Sequence, residues 1–408
     1  MDDWVVFGSR LDQKSQFGFD DFFLRRHNEH LIGGLVLWNV GLGAVFGLKS
    51  YTPWVISVVI ANILVVWVVR KYMTRLGVNP LLAAITSPIF LLLSPVGTLS
   101  YWSFDQVFIF TLALNLIHFG MTSHSAKEIA ARDLFGALLS CVGVFIFSVS
   151  VITIPVIAFV QIWHRRWLRA FVASTPLALY VAWTFTYKNR LPSTRWLDGT
   201  SRGVNPLDDR DLALFFSFGW KLISRTVWPN SNPVVFVLVL LILGVGVWYL
   251  RLDSSGPRSA AFAAITVAVV YVGGFTWSRG VFTDRIMRVD PPDRYVAVLA
   301  LLLLPICLLG IQEFTKSLSR GRENLSSSVV RTIALTSIAL FTALTLHQRF
   351  DQDERISGFA LGSKARVFEV ANDPNIGTFP ADQFVFGSAW PTDLTFGDIV
   401  RLKRVGWL

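Results

Sequence analysis

Six carboxylates and two histidines fall within the first 30 residues, directly ahead of an apolar segment. They come as Asp2-Asp3-Trp4, Phe19-Asp20-Asp21-Phe22 and Arg26-His27-Asn28-Glu29-His30, with Asp12 between. A carboxylate beside a bilayer is costly unless it is solvated or functional. A positioned carboxylate can take the proton of an attacking hydroxyl as general base. Asp2 and Asp3 are the first candidates for that role, and Asp20 and Asp21 the second pair, as a base or as a metal site. The plain structural role of the second pair is to cap and charge the first turn of the next helix. His27 and His30, at i and i+3, can share a helix face. With only Glu29 beside them they fall short of a zinc motif. Glu29 and His30 suit contacts to an acceptor or a phosphate oxygen better. The matching cation is far along the chain, where Arg294 and Tyr295 follow a Pro-Pro loop. Arginine there either grips a phosphate or anchors a helix at an interface. Arg279, Arg285 and Arg288 lie just before it. Asp105 and Gln106 open another apolar run, where an Asp can be a cap or line a pocket.

The elements that must hold these groups are apolar. Charged residues make up 16% of the 408, and 53% are hydrophobic, against about 25% charged in a typical soluble chain. Ten apolar stretches reach or approach spanning length, at about 53–70, 79–95, 105–121, 133–148, 149–163, 169–187, 232–250, 259–276, 294–313 and 329–346. The expected fold is therefore an all-α polytopic membrane protein. The run 133–163 is too long for one span. Ser148-Val149-Ser150 and Pro155 mark a break in it, and two short, partly re-entrant helices fit there as well as two full spans.

The net charge of +10 is read as topology rather than nucleic-acid binding, since no nucleic-acid motif accompanies it. Basic residues cluster at 70–75, 164–169, 251–258 and 316–322. Ten alternating spans put all four clusters on the cytoplasmic side, as the positive-inside rule requires. Residues 1–52, 96–104, 188–231, 277–293 and 347–408 then lie outside. The apolar segment 31–49 is read as interfacial or re-entrant, because a crossing there would flip every later loop. An amphipathic stretch, 212–220, gives the outer loop 188–231 its own interfacial helix. The membrane domain is taken as 1–346. The tail 347–408 changes composition and carries short β-like runs at 365–370 and 383–386. Cys141 and Cys307 sit inside apolar runs and suggest packing, not a disulfide.

Several short motifs, in this order, resemble the GT-C-type membrane glycosyltransferases, and more closely a large bacterial, often actinobacterial, group related to them. They are Asp2-Asp3-Trp4, Arg26 to His30, Gly47-Leu48-Lys49-Ser50-Tyr51-Thr52-Pro53, Tyr101-Trp102-Ser103-Phe104-Asp105-Gln106 and Asp293-Arg294-Tyr295. The likeness covers roughly 1–310 and omits the tail. It implies a GT-C-like helical bundle in the bacterial plasma membrane, with an interfacial helix in the first outer loop and a small mixed C-terminal tail. It also implies transfer of a sugar from a polyprenyl-phosphate donor to an extracytoplasmic glycan or lipid acceptor. By that match Asp3 or Asp2 is the base; Asp20 and Asp21, outside the matching motifs, stand in reserve. Glu29, His30, Asp105, Gln106, Arg294 and Tyr295 line the substrate site. Arginine or a divalent metal stabilises the departing lipid phosphate. In the family a membrane helix precedes the acidic pair, whereas this sequence opens at it. That points to a lost leading helix or a shortened protein.

Two other readings compete. A lipid-glycan transporter or envelope-assembly partner should carry polar groups at mid-span, and only Asn62 and Asn115 stand out there. A catalytically degenerate relative with a scaffold role is the third.

Overall fold

A computed structural model describes residues 22–24, 30–48, 50, 52–92, 103–122, 128–187, 209–226, 232–252, 264–273, 293–320, 365–381, 383, 385, 395–404 and 408. Among these the chain is almost entirely helical and has no β-strand. The helices are α1 (Gly33–Phe46), α2 (Thr52–Arg75), α3 (Pro80–Leu92), α4 (Ser103–Thr122), α5 (Ala131–Ile146), α6 (Ile154–Trp163), α7 (Trp167–Thr186), α8 (Asp209–Ser224), α9 (Pro233–Leu252), α10 (Ala264–Gly273), α11 (Asp293–Arg320), α12 (365–372) and α13 (Phe396–Arg404). The expected span at 329–346 lies outside the described residues.

Local chemistry explains the helix ends. Pro53 stands in the first turn of α2, where a missing N–H costs nothing. At the other end Gly77 takes φ +97°. Val78 N–H reaches the Met73 carbonyl at 3.1 Å and Gly77 N–H the Thr74 carbonyl at 3.2 Å, a Schellman stop that favours glycine. Two residues on, Asn79 Oδ1 accepts the N–H groups of Leu81 and Leu82 and starts α3, with Pro80 in its first position.

Among the described residues three helices are long and apolar enough to cross a membrane: Thr52–Arg75, Trp167–Thr186 and Tyr295–Gln312. Their surroundings differ. The Tyr295–Gln312 segment is 83% buried inside the protein, against 28% for each of the other two, so α11 is the central helix. Many large apolar side chains on the remaining helices face outward, among them Phe171, Phe185, Leu168 and Trp67. An exposed apolar surface of that kind requires a covering partner, and acyl chains supply one. At 14 residues, α1 is about 21 Å long, short of the ~30 Å hydrocarbon layer.

The long run 133–163 resolves into two short helices. α5 has 16 residues and α6 has 10, joined by a 3₁₀ segment at Ser148–Thr153. Ser148 explains the break. Its N–H donates to the Leu31 carbonyl at 3.0 Å, and its Oγ accepts the Leu31 N–H at 3.1 Å. The backbone therefore trades its helical ladder for a link to the segment before α1.

The tail differs from its sequence reading. Residues 365–370 begin a helix, and residues 383 and 385 are bend and turn. The apolar positions explain the change: Val367, Val370 and Ala371 are buried at i, i+3 and i+4, the helical repeat, not the period of two that a strand needs. These residues form one apolar cluster with Ile376, Val385, Phe396, Ile399 and Leu402, and with Leu48 and Trp54. The tail thus packs where α1 leads into α2. Trp54 Nε1 donates to Asn39 Oδ1 at 2.8 Å, which ties these two helices together at the same place. Helix α13 opens with a capping box. Thr395 Oγ1 accepts the Asp398 N–H, and Asp398 Oδ2 accepts the Thr395 N–H at 2.9 Å. Thr395→Ala should cost about 1 kcal/mol locally. Hydrogen exchange over 396–404 should then quicken several-fold with little change elsewhere.

Candidate functional site

The two ends of the helical core are chemically different. Arg75, closing α2, lies against Gly120 near the end of α4, its Nη1 2.9 Å from where a Cβ would stand. Gln312, late in α11, holds the α2–α3 turn: its Oε1 accepts the Asn79 N–H at 2.7 Å and its Nε2 donates to the Gly77 carbonyl at 3.4 Å. Gln161 of α6 and Arg169 of α7 both donate to the Thr122 carbonyl at the close of α4. The ends that carry the basic clusters 70–75 and 164–169 are therefore gathered together with the end of α4 and the Gln312 part of α11. The starts of α2, α4 and α11 lie at the other end.

Of the expected site residues, Asp2, Asp3, Asp20, Asp21 and Glu29 lie outside the described residues. Asp105 and Arg294 are in the first turns of α4 and α11, with no side-chain position described. His30 is half-buried, its ring 5.0 Å from that of Phe147. Gln106 is buried; its amide donates to the Val58 carbonyl at 3.2 Å and lies 3.5 Å from Asn62 Oδ1. Tyr295 is buried, and its carbonyl accepts the Tyr271 hydroxyl at 3.1 Å. The contacts named for these three are with different neighbours. Gln106 and Tyr295 share the end where α4 and α11 begin. Among the described residues no group of three or more His, Cys, Asp or Glu could hold a metal. Cys141 and Cys307 are free thiols.

A second polar region, less visible in the sequence, runs through the core. Thr111, Asn115, His118 and Thr122 are all buried at i, i+4, i+7 and i+11, so they form one stripe along α4. Facing it on α5 are Gly136, Ser140 and Gly143, a stripe of small residues that lets the helices approach closely. A Cβ on Gly136 would meet His118 at 2.6 Å. His118 Nδ1 and Ser140 Oγ are 2.8 Å apart. At the basic end the stripe meets a buried ion pair: Arg169 Nη2 is 2.9 Å from Asp133 Oδ1, with side chains 0% and 1% exposed. Asp133 Oδ2 also accepts the Ala130 N–H at 2.8 Å. The carboxylate thus sits at the positive end of the α5 dipole while it pairs with arginine. Beside it, partial burial and the Arg166 cation hold His164 below the usual imidazole range.

Four buried side-chain atoms along this seam have no hydrogen-bond partner: Asn115 Oδ1, Ser150 Oγ, His118 Nε2 and Gln161 Oε1. Buried polar atoms are nearly always satisfied, so a cluster of exceptions calls for a cause. The transporter-type signal sought in the sequence was mid-span polarity, and only Asn62 and Asn115 supplied it there. Asp133 and Arg169 each begin an apolar run and read as loop charges, and His118 and Gln161 are single polar residues within theirs, so none of the four stands out in the sequence. The i, i+4, i+7 spacing on α4 was the available clue.

Comparison with protein-family models, curated proteins and solved structures finds no match.

Proposed function

We propose that this chain is a GT-C-type membrane glycosyltransferase that moves a sugar from a polyprenyl phosphate to an extracytoplasmic glycan or lipid acceptor. The observation that supports it is the chemical separation of the two ends. The basic helix ends lie together, which suits a cytoplasmic face. The segments that carry the family-like motifs Asp105-Gln106 and Asp293-Arg294-Tyr295 start at the opposite end, where a donor headgroup would meet an outer acceptor. In that arrangement Asp3 or Asp2, with Asp20 and Asp21 as alternates, would accept the proton of the acceptor hydroxyl. Arg294 would balance the charge that grows on the departing phosphate. Glu29 and His30 would hold the acceptor, beside Gln106 and Tyr295.

The test uses membranes from cells expressing the chain, given a panel of polyprenyl-phosphate monosaccharides and envelope acceptors. Loss of the true base should lower transfer about 10²–10⁴-fold. If Asp2→Ala, Asp3→Ala, Asp20→Ala and Asp21→Ala all transfer sugar at the parental rate, the proposal fails.

The buried seam along α4 favours a second reading, a membrane transporter, because polar groups inside apolar spans commonly mark a path. The two readings part on one measurement: a transporter moves the lipid-linked glycan across vesicles without changing its covalent structure.

A further inference from the structure

The upper part of the seam has the composition of an ion site. Asn115 Nδ2 donates to the Ser150 carbonyl and to Thr153 Oγ1, the latter at 2.6 Å. Turning the amide over would set Oδ1 against the Ser150 carbonyl, two acceptors face to face, so its orientation is determined. Asn115 Oδ1 is then left as a lone acceptor, and the Ser150 hydroxyl is equally unpartnered. Both residues are essentially inaccessible, at 1% and 0% exposure.

These two oxygens converge. A Cβ built on Gly143 would lie 3.5 Å from the Thr111 carbonyl oxygen, 3.6 Å from Ser150 Oγ and 3.7 Å from Asn115 Oδ1. Outside the local backbone of α5, the three nearest atoms to that point are all oxygens, from an amide, a hydroxyl and a peptide. The place also lies close to the end of α5 at Ile146, where the last carbonyls carry the negative end of the helix dipole. Lone pairs and a helix C-terminus at an interrupted apolar helix are how membrane proteins coordinate small cations. An anion would meet only like charge. A divalent ion would be left with uncompensated charge, since no carboxylate belongs to the set and calcium sites draw on several.

We propose that the break between α5 and α6 binds an alkali-metal cation through Asn115 Oδ1, Ser150 Oγ and the Thr111 carbonyl. The site is independent of the glycosyl-transfer reading, because it lies on the seam and involves none of the residues assigned to that reaction. A bound cation would tie the 3₁₀ segment to α4 and make the geometry at Leu31–Ser148, and so the approach to α1, depend on the ion.

Gly143→Ala is the decisive variant. Its new methyl would stand at ordinary contact distance from all three oxygens. The helix can therefore accept it, with better helix propensity, while the methyl crowds the space beside the three oxygens that an ion and its remaining shell would need. The full-length protein in detergent is followed by tryptophan fluorescence on heating, in sodium chloride, potassium chloride and choline chloride at equal ionic strength. A ligand that binds only the folded state raises the midpoint in proportion to the logarithm of its excess over Kd. The parent protein should show a saturable rise in sodium or potassium over choline. Gly143→Ala should unfold at the same midpoint in all three salts. Ser150→Ala, which removes one ligand, should move the half-saturating concentration upward at least several-fold. Identical midpoints for the parent in all three salts would mean that the oxygens hold only water, and would overturn the proposal. So would a full salt response in Gly143→Ala.

Discussion

Arg169→Ala should destabilise the folded chain by about 3–5 kcal/mol, the usual result of stripping one partner from a buried ion pair. The reason lies in what remains. Asp133 is 1% exposed, accepts the Ala130 N–H, and loses the guanidinium that balances its charge. The Thr122 carbonyl loses one of two donors and retains Gln161 Nε2 at 3.3 Å. An uncompensated carboxylate in a dry setting has no cheap remedy except to take up a proton. The loss should therefore shrink on moving to acid, where Asp133 can become neutral. Asp133→Asn should be nearly as damaging, because it removes the carboxylate that balances the buried arginine. The double change Arg169→Met with Asp133→Asn should recover much of the loss, since replacing both charges removes the desolvation problem itself. Thermal unfolding of Arg169→Ala, and of the parent, Arg169→Met, Asp133→Asn and Arg169→Met with Asp133→Asn as a double-mutant cycle, checks this. Single variants within about 0.5 kcal/mol of the parent, the range of ordinary surface changes, would show that the pair is not buried.

The second large effect is expected at the contact between α9 and α11. A Cβ on Gly310 would lie 2.6 Å from the Ile242 carbonyl oxygen and 3.0 Å from the Gly246 nitrogen. Both are backbone atoms, so no side chain can swing aside. Across the same contact a Cβ on Gly246 would meet the Ile306 carbonyl oxygen at 2.7 Å. Gly310→Ala must push the helices apart, at a cost of about 1–3 kcal/mol. Because α11 is the most enclosed of the three long apolar helices, the shift should be felt through the core. Gly244→Ala is the built-in control. It lies in the same helix as Gly246, and nothing stands within 4 Å of its Cβ position. That change should stabilise by up to about 1 kcal/mol through helix propensity. Opposite signs in unfolding midpoint at two glycines so near in space would identify close backbone packing as the cause. Equal effects would refute it.

How much was readable in advance depended on whether a feature was local. The helical class and the positions of most apolar segments follow from hydrophobic runs long enough to need no partner for their recognition. Residues 133–163 could also be divided from the sequence, since Ser148, Ser150 and Pro155 interrupt the run. The tail was misread because Ala365 to Val370 contains β-formers in series. Only the burial of Val367, Val370 and Ala371 against Leu48 and Trp54 decides in favour of a helix. Propensity is a weak prior when a distant surface offers the better burial.

The functional residues divide in the same way. The acidic motifs at the start of the chain are legible as types and spacings, and with them the proposal of a carboxylate-driven transfer. No periodicity could show that Asp133, at the start of one apolar run, meets Arg169, at the start of another 36 residues later. Each charge alone reads as a solvated helix end. Only packing reveals that both are dry, and that Asn115, 35 residues from Ser150, reaches it across a broken helix. Composition and pattern determined the helical, apolar character of this protein and the sorting of its basic segments, because those properties belong to single segments and to the solvent around them. The tertiary structure decided the break, the seam, the ion pair and the glycine contacts, because each depends on two surfaces meeting, and burial changes what a charge or a missing Cβ costs.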